Sequence, residues 1–141
     1  MNVVLCLPET RFLVSSVVRS ESKSVVSAVD TVIADGILGV VDDDLISIRS
    51  FRAAQEKLGL GAGETECILA AEQMGCVLAC DDLAARSAAK KALGAGQVRG
   101  SIGLLKMAVD ANILSREAAY VAYQLMRDCG GYLPDFSAEY F

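Results

Sequence analysis

Residues 61–86 read G-A-G-E-T-E-C-I-L-A-A-E-Q-M-G-C-V-L-A-C-D-D-L-A-A-R, and this stretch decides the fold of the chain. Glycines precede an apolar helix that carries two glutamates near its start, and Gly75 is placed to end that helix. A short buried strand, residues 76–80, follows and ends in two aspartates that open another helix. The stretch therefore predicts a helix-strand-helix unit with carboxylates at two of its corners.

The acidic side chains at these corners suit a divalent cation. Asp81 and Asp82 follow the predicted strand, and in an open α/β sheet ligands bind outside the carboxyl ends of the strands. Glu64, at the start of the preceding helix, is placed to reach the same corner. The chain has no histidine, and carboxylates without histidine favour Mg²⁺ or Mn²⁺ over zinc.

The same acids have a plainer explanation as helix caps. Aspartate is a preferred N-cap residue, so Asp81 or Asp82 alone would satisfy the first amides of the helix predicted at 83–93. A glutamate in a first turn, such as Glu64, is favoured by the helix dipole. One cap needs only one aspartate, whereas this corner has two and a nearby glutamate. That combination favours a metal site.

The order of the motifs resembles that of PIN-domain proteins. The pattern G-x-G-E-x-E-x-I-x-x-A, a glycine-ended helix, an apolar strand and D-D-x-x-A-R are followed by G-S-I-G-L-L at residues 100–105. Each motif is weak alone, but their order and spacing are specific together, and the resemblance covers residues 7–114. It implies an α/β fold, a PIN-like three-layer sandwich with a short, mainly parallel sheet flanked by helices.

An upstream glutamate is a further candidate ligand. Valines predict a helix that begins at residue 15 or 16 and extends through residue 29, with Glu21 at the edge of its apolar face. A glutamate there is costly unless it is paired or bound to a cation, or it is a surface side chain beside Arg19 or Lys23. Periodicity leaves both interpretations open. The resemblance places a metal ligand at Glu21.

The resemblance also implies a function, that of a ribonuclease that uses Mg²⁺ or Mn²⁺. The catalytic residues would be Glu21, Glu64 and Asp82, with Asp81 as a further metal ligand. Glu64 is preferred to Glu66 because it lies 18 residues before Asp82, the spacing that the resemblance implies. Many members of the family are toxins that a cognate antitoxin protein restrains, so an antitoxin is an expected partner beside the RNA substrate.

Two further residues are candidates for substrate binding. Arg86 lies four residues beyond Asp82, where it is placed to orient that aspartate or to meet a substrate phosphate. Ser101 is expected at the same sheet edge, although it is also a natural N-cap for a helix at 102–109. Lys90 and Lys91 are predicted to be solvated.

The N-terminal region departs from the PIN pattern. PIN domains begin with a strand that ends in an aspartate, whereas the first aspartate here is Asp30. Residues 1–7 resemble the end of the following helix, so we expect a late start that omits the first strand and one metal ligand. The alternative function is therefore a catalytically inactive PIN-like module that binds an antitoxin or itself.

Composition bounds the class of protein. A chain of 141 residues fits a single domain over residues 1–141. Its net charge of -5 excludes a general polyanion binder but not a nuclease with a small metal site. The five cysteines include no C-x-x-C pair, which indicates reduced thiols and a cytoplasmic location. The sequence has neither a membrane span nor a signal peptide.

Aromatic residues concentrate in the tail at 130–141. Such a tail either packs on its own domain or forms a dimer face, and the resemblance implies a homodimer. Periodicity predicts the remaining elements, which are strands at 12–14 and 97–99, a solvated loop at the aspartates 42–44, and helices at 46–58 (with Ile48, Phe51, Ala54 and Leu58 inward) and 115–128.

Overall fold

The structure, a computed structural model, describes residues 4–131 and 133–141. Contacts between residues divide the chain into two compact units. The larger unit comprises Arg11–Gly100, and the smaller comprises the segment that ends at Thr10 together with Ser101–Phe141. A single domain over residues 1–141 stays a prediction.

The larger unit alternates short strands with helices. In chain order its elements are β1 Phe12–Val14, α1 Ser16–Glu21, α2 Val26–Ala34, β2 Leu38–Val40, α3 Ile48–Leu58, α4 Ala62–Met74, β3 Leu78–Ala79, α5 Leu83–Leu93 and β4 Val98–Arg99. Strand β1 pairs with β2, and β3 pairs with β4, both in parallel. Parallel neighbours require crossover connections, which the helices provide. The predicted α/β class with short parallel strands is confirmed.

Strand pairing differs from the predicted single sheet. In the described residues the strands form two separate two-stranded sheets. The strand predicted at 76–80 is paired only at Leu78 and Ala79, opposite Val98 and Arg99. The amide of Cys80 still donates to the carbonyl of Arg99 at 2.9 Å. The carboxyl end of β3 therefore leads directly into the paired aspartates.

Alanines and branched aliphatic residues build the core beside β3 and β4. Ile68 and Ala71 of α4 pack with Ala89 of α5 and with Leu78 and Val98 of the two strands. Ala89 is fully buried, and its small side chain lets α5 approach the strands closely. This packing fixes the start of α5, and hence Asp82, relative to α4.

Glycines end two helices as predicted. Gly59 follows α3 with φ of 64°, and Gly75 follows α4 with φ of 66°. These left-handed conformations disfavour residues with a Cβ atom. They separate α3, α4 and β3 into distinct elements.

The helix predicted from residue 15 to residue 29 is wrong in its length. Helix α1 ends at Glu21, and α2 begins only at Val26. Ser22 follows α1 with a non-helical ψ of 46°, and its hydroxyl and amide both donate to the carbonyl of Val18, at 2.8 and 3.0 Å. Val25, expected on the buried face, is 43% exposed. Glu21 is thus the last residue of a short helix.

The inward orientation predicted for Ile48 is also wrong, since this side chain is 73% exposed. Helix α3 begins at Ile48 and not at residue 46, because Ser47 caps it by accepting a hydrogen bond from the amide of Ser50. Ile48 is therefore the first residue of the helix and lies beyond its packed part. Phe51 is half-buried, as expected.

The three successive aspartates lie where a solvated loop was predicted. Asp42 precedes a 3-10 turn at Asp43–Leu45, and all three aspartates are exposed. The carboxylate of Asp42 accepts a hydrogen bond from the amide of Asp44 at 3.0 Å. Their placement is that of a helix-capping turn.

The smaller unit contains α6 Ser101–Asp110 and α7 Arg116–Asp128, with 3-10 turns at Val4–Cys6 and Ala138–Tyr140. Its core joins Leu105, Ala119, Tyr123 and Phe141. The described part of the aromatic tail thus packs on its own unit. Tyr132 and residues 1–3, which the tail and N-terminal predictions include, lie outside the described residues.

No helix within the described ranges is both long and apolar enough to cross a membrane.

Candidate active site

Glu64 lies at the N-terminus of α4, as the sequence predicted. One carboxylate oxygen, Oε2, accepts a hydrogen bond from the amide of Gly61 at 3.0 Å. This contact from the third helical residue back to the N-cap satisfies an amide that the helix leaves unpaired. Glu64 therefore stabilises the start of α4 whatever else it does.

Asp82 is the N-cap of α5. Its Oδ1 atom accepts a hydrogen bond from the amide of Ala85 at 2.8 Å. The capping interpretation is thus correct for Asp82, and Asp81 is not the capping residue. The cap engages one oxygen of the Asp82 carboxylate and does not use the other.

Glu21 reaches α4 from the end of α1. Its Oε2 atom lies only 2.7 Å from the position that a Cβ atom on Gly63 would occupy. Gly63 is buried and directly precedes Glu64. The surface pairing considered for Glu21 does not form with Arg19, which pairs instead with Asp30 at 2.7 Å. The structure thus brings the Glu21 carboxylate to the first turn of α4, against Gly63.

Glu66 has a different contact. Its Oε2 atom accepts a hydrogen bond from the amide of Val17 at 3.1 Å. Val17 is the second residue of α1, so Glu66 satisfies an unpaired amide at the start of that helix. This bond holds α1 against α4 and gives Glu66 a structural role, as the bond to Gly61 does for Glu64.

Asp81 and Arg86 meet at Gly100. A Cβ atom on Gly100 would lie 2.6 Å from an Nη atom of Arg86 and 2.8 Å from Oδ1 of Asp81. Gly100 is buried and directly follows β4. The guanidinium group therefore lies at the carboxyl ends of the β3–β4 pair, beside Asp81.

The charges of these acids raise the pKa values of two nearby thiols. Burial raises the pKa of the Cys67 thiol, and the charges of Glu66, Glu21 and Glu64 raise it further, against a lowering contribution from a hydrogen bond to Ser15. The thiolate is disfavoured because it would be buried near three carboxylates.

Cys80 gives the complementary observation. Burial raises the pKa of its thiol, and the charges of Glu64, Asp82 and Asp81 contribute to the increase. The charge of Glu64 contributes to the raised pKa of both thiols, so Glu64 lies within electrostatic range of Cys67 and of Cys80.

The donor chemistry in this region fits a hard divalent cation. All the candidate ligands are carboxylates, which are the ligands that Mg²⁺ and Mn²⁺ prefer. Among the described residues, however, no group of three or more His, Cys, Asp or Glu side chains lies close enough together to hold a metal ion. The residues fit the ion in kind, but this structure does not bring three of these described side chains together.

Ser101 is the first residue of α6 and not the residue before it, as its predicted N-cap role requires. It belongs to the smaller unit. It is half-buried. Its role as a substrate-binding residue stays a prediction.

Two residues of this region were not among the predicted site residues, namely Gly63 and Gly100. Both are buried glycines whose missing side chains admit carboxylate oxygens at close range. The signal for Gly63 was present in the pattern G-x-G-E-x-E, although the sequence does not show what approaches that glycine.

Comparison with protein families gives one match, to a family model described as a PIN domain, over residues 9–139. No curated protein and no solved structure matches the chain significantly.

Proposed function

The chain belongs to the PIN-domain family, and from this premise we propose that it is a metal-dependent ribonuclease that hydrolyses RNA phosphodiester bonds. One observation carries the proposal beyond family membership. The carboxylate of Glu21 lies against Gly63, directly before Glu64. The carboxylate of Glu21, from α1, therefore lies against the first turn of α4, the turn that carries Glu64.

Glu21, Glu64 and Asp82 would hold Mg²⁺ or Mn²⁺, with Asp81 as a further ligand. Bound there, the cation would supply an activated water and offset the charge that develops on the phosphate. Glu64 and Asp82 use one oxygen each for capping, and each carboxylate has a second oxygen to contribute. The caps also hold these two side chains at the helix N-termini.

Substrate contacts are proposed for Arg86 and Ser101. Arg86 is half-buried beside Asp81, and a guanidinium group suits bidentate contact with a phosphate. Its charge would locally oppose the repulsion that the net charge of -5 exerts on RNA. Lys90 and Lys91 in the last turn of α5 are exposed, as expected of solvated side chains.

The proposal predicts RNA cleavage that depends on added Mg²⁺ or Mn²⁺. The purified protein, stripped of metal with a chelator, should leave fluorescent single-stranded and hairpin RNAs intact, because the carboxylates alone do not activate water. Adding either ion should restore cleavage, whereas Ca²⁺ serves as a divalent control. Intact RNA across a varied substrate set with both ions would contradict the proposal.

A second candidate function is an inactive PIN-like binding module. It is favoured by one observation, that Glu64 and Asp82 both serve as helix caps and so have a structural reason to be present. Such a module would bind no Mn²⁺ in a calorimetric titration yet still form a stable complex with a partner.

The partners we propose are an antitoxin protein, which would make the chain the toxin of a pair, and a second copy of the chain. Helix α7 exposes Val121 and Leu125, at 54% and 60%, one helical turn apart. They offer the homodimer an apolar face, which sedimentation equilibrium tests. All five cysteines are in the reduced form, in keeping with the cytoplasmic location we propose.

A further inference from the structure

Gly63 lies at an unusually crowded point of α4. A Cβ atom there would lie 2.7 Å from Oε2 of Glu21 and 3.0 Å from Cγ2 of Val18. A distance of 2.7 Å between a carbon and an oxygen atom that are not bonded is shorter than van der Waals contact, so one of the two atoms would have to move. The Glu21 carboxylate therefore occupies space that any residue other than glycine would fill.

We propose that Gly63 is a positioning residue, whose missing side chain lets the Glu21 carboxylate settle at the N-terminus of α4 beside Glu64. The inference rests on the proposed function for its consequence, which is that Glu21 and Glu64 can share one cation. Gly63 itself contacts neither metal nor substrate. It acts by leaving space for a ligand from another helix.

The location is electrostatically favourable for a carboxylate. Helix α4 has 13 residues, and the partial positive charge at its N-terminus attracts an anion within the first turn. Glu21 is the last residue of α1, and its carboxylate reaches across to the first turn of α4. The dipole supplies the attraction, and the glycine supplies the room for close approach.

A methyl group at Gly63 would displace the side chain and not the backbone. The closest atom is the far end of the flexible side chain of Glu21, which is exposed and able to turn away. The methyl of Val18 has to give by only a few tenths of an ångström. Alanine is also the better helix former. A Gly63→Ala protein should therefore fold normally with a displaced carboxylate.

Two other glycines of the larger unit would not displace a carboxylate if they carried a Cβ atom. A Cβ atom on Gly61 would lie 3.4 Å from Oε2 of Glu64, an ordinary contact. A Cβ atom on Gly96 would have no atom within 4 Å, and Gly96 has no positive φ. Gly96→Ala is therefore a matched control, a glycine-to-alanine change in the same unit that moves no acid.

The test measures Mn²⁺ binding by isothermal titration calorimetry, together with thermal unfolding. Gly63→Ala should raise the dissociation constant about 10-fold or more with an unchanged unfolding midpoint, and Gly96→Ala should match the wild type in both. Glu21→Gln should weaken binding similarly, and Gly63→Ala should add nothing in the Glu21→Gln background, since one contact is lost in either case. Wild-type affinity in Gly63→Ala, or a full additive loss in the double variant, would overturn the positioning role.

A crystal structure of Gly63→Ala separates this inference from the proposed function. A wild-type protein that binds no Mn²⁺ overturns the nuclease proposal. The positioning role is then decided by the Glu21 carboxylate alone. If the carboxylate has moved away from α4 in the variant, the inference holds, and if it stays in place, the inference fails.

Discussion

Asp82→Asn is expected to lower RNA cleavage by about 100-fold or more while the protein unfolds at the wild-type temperature. Asparagine is as good an N-cap as aspartate, so the bond that Oδ1 of Asp82 accepts from the amide of Ala85 is retained. What is lost is the negative charge and one anionic ligand. Removal of supporting groups around a metal already costs 10- to 100-fold, and loss of a direct ligand should cost at least as much.

Two further variants complete this experiment. Glu64→Gln should behave like Asp82→Asn, because the side-chain oxygen of glutamine also accepts a hydrogen bond from the amide of Gly61. Asp42→Asn is the matched control, since Asp42 also caps a helical turn but has no proposed ligand role. Cleavage and unfolding should be measured on the same preparations. Wild-type cleavage by Asp82→Asn would reduce that acid to a cap.

Tyr123→Ala is expected to produce the largest loss of stability, about 3–5 kcal/mol in the free energy of unfolding. The side chain is 1% exposed and lies among Leu105, Ala119 and Phe141. Truncation to alanine leaves a cavity that these neighbours fill only in part. Urea unfolding monitored by circular dichroism measures the change.

The hydroxyl of Tyr123 makes a separable contribution. It donates to the carbonyl of Pro134 at 2.7 Å and accepts from the amide of Phe136 at 3.0 Å and from Arg127 at 3.1 Å. Tyr123→Phe should therefore cost about 1–3 kcal/mol, because these groups lose a partner. Tyr140→Phe, which removes the hydroxyl of an exposed tyrosine, is the control. Equal stability of Tyr123→Phe and the control would contradict the assigned role.

Local signals predicted most of the elements. Helix α5 and strand β1 have the predicted bounds, because each is marked by residues adjacent in sequence. The signal is an aspartate cap for α5 and an apolar run for β1. The interruption between α1 and α2 was not predicted, because it arises from a non-helical backbone conformation at Ser22 that no glycine or proline marks. Apolar periodicity continues through the interruption. Pairing of strands depends on residues far apart in the chain, and short strands leave it weakly specified.

The site was predictable in its residue types and less so in its contacts. Glu64 and Asp82 follow from helix starts, which spacing reveals. The side chains that surround Glu64 and Asp82 do not follow from sequence spacing, because the approach of Glu21 to Gly63 depends on how α1 packs against α4. Glu66 illustrates the limit, since it is two residues from Glu64 and yet bonds to an amide of α1. Sequence position alone does not distinguish a ligand from a structural contact.

The central claim is that acids from α1, α4 and the β3–α5 junction share one cation. The most direct measurement is anomalous diffraction from crystals of the protein grown with Mn²⁺. The account predicts an anomalous peak within bonding distance of carboxylate oxygens from Glu21, Glu64 and Asp82. An absence of any peak there, with the three carboxylates still separate at saturating Mn²⁺, would contradict it.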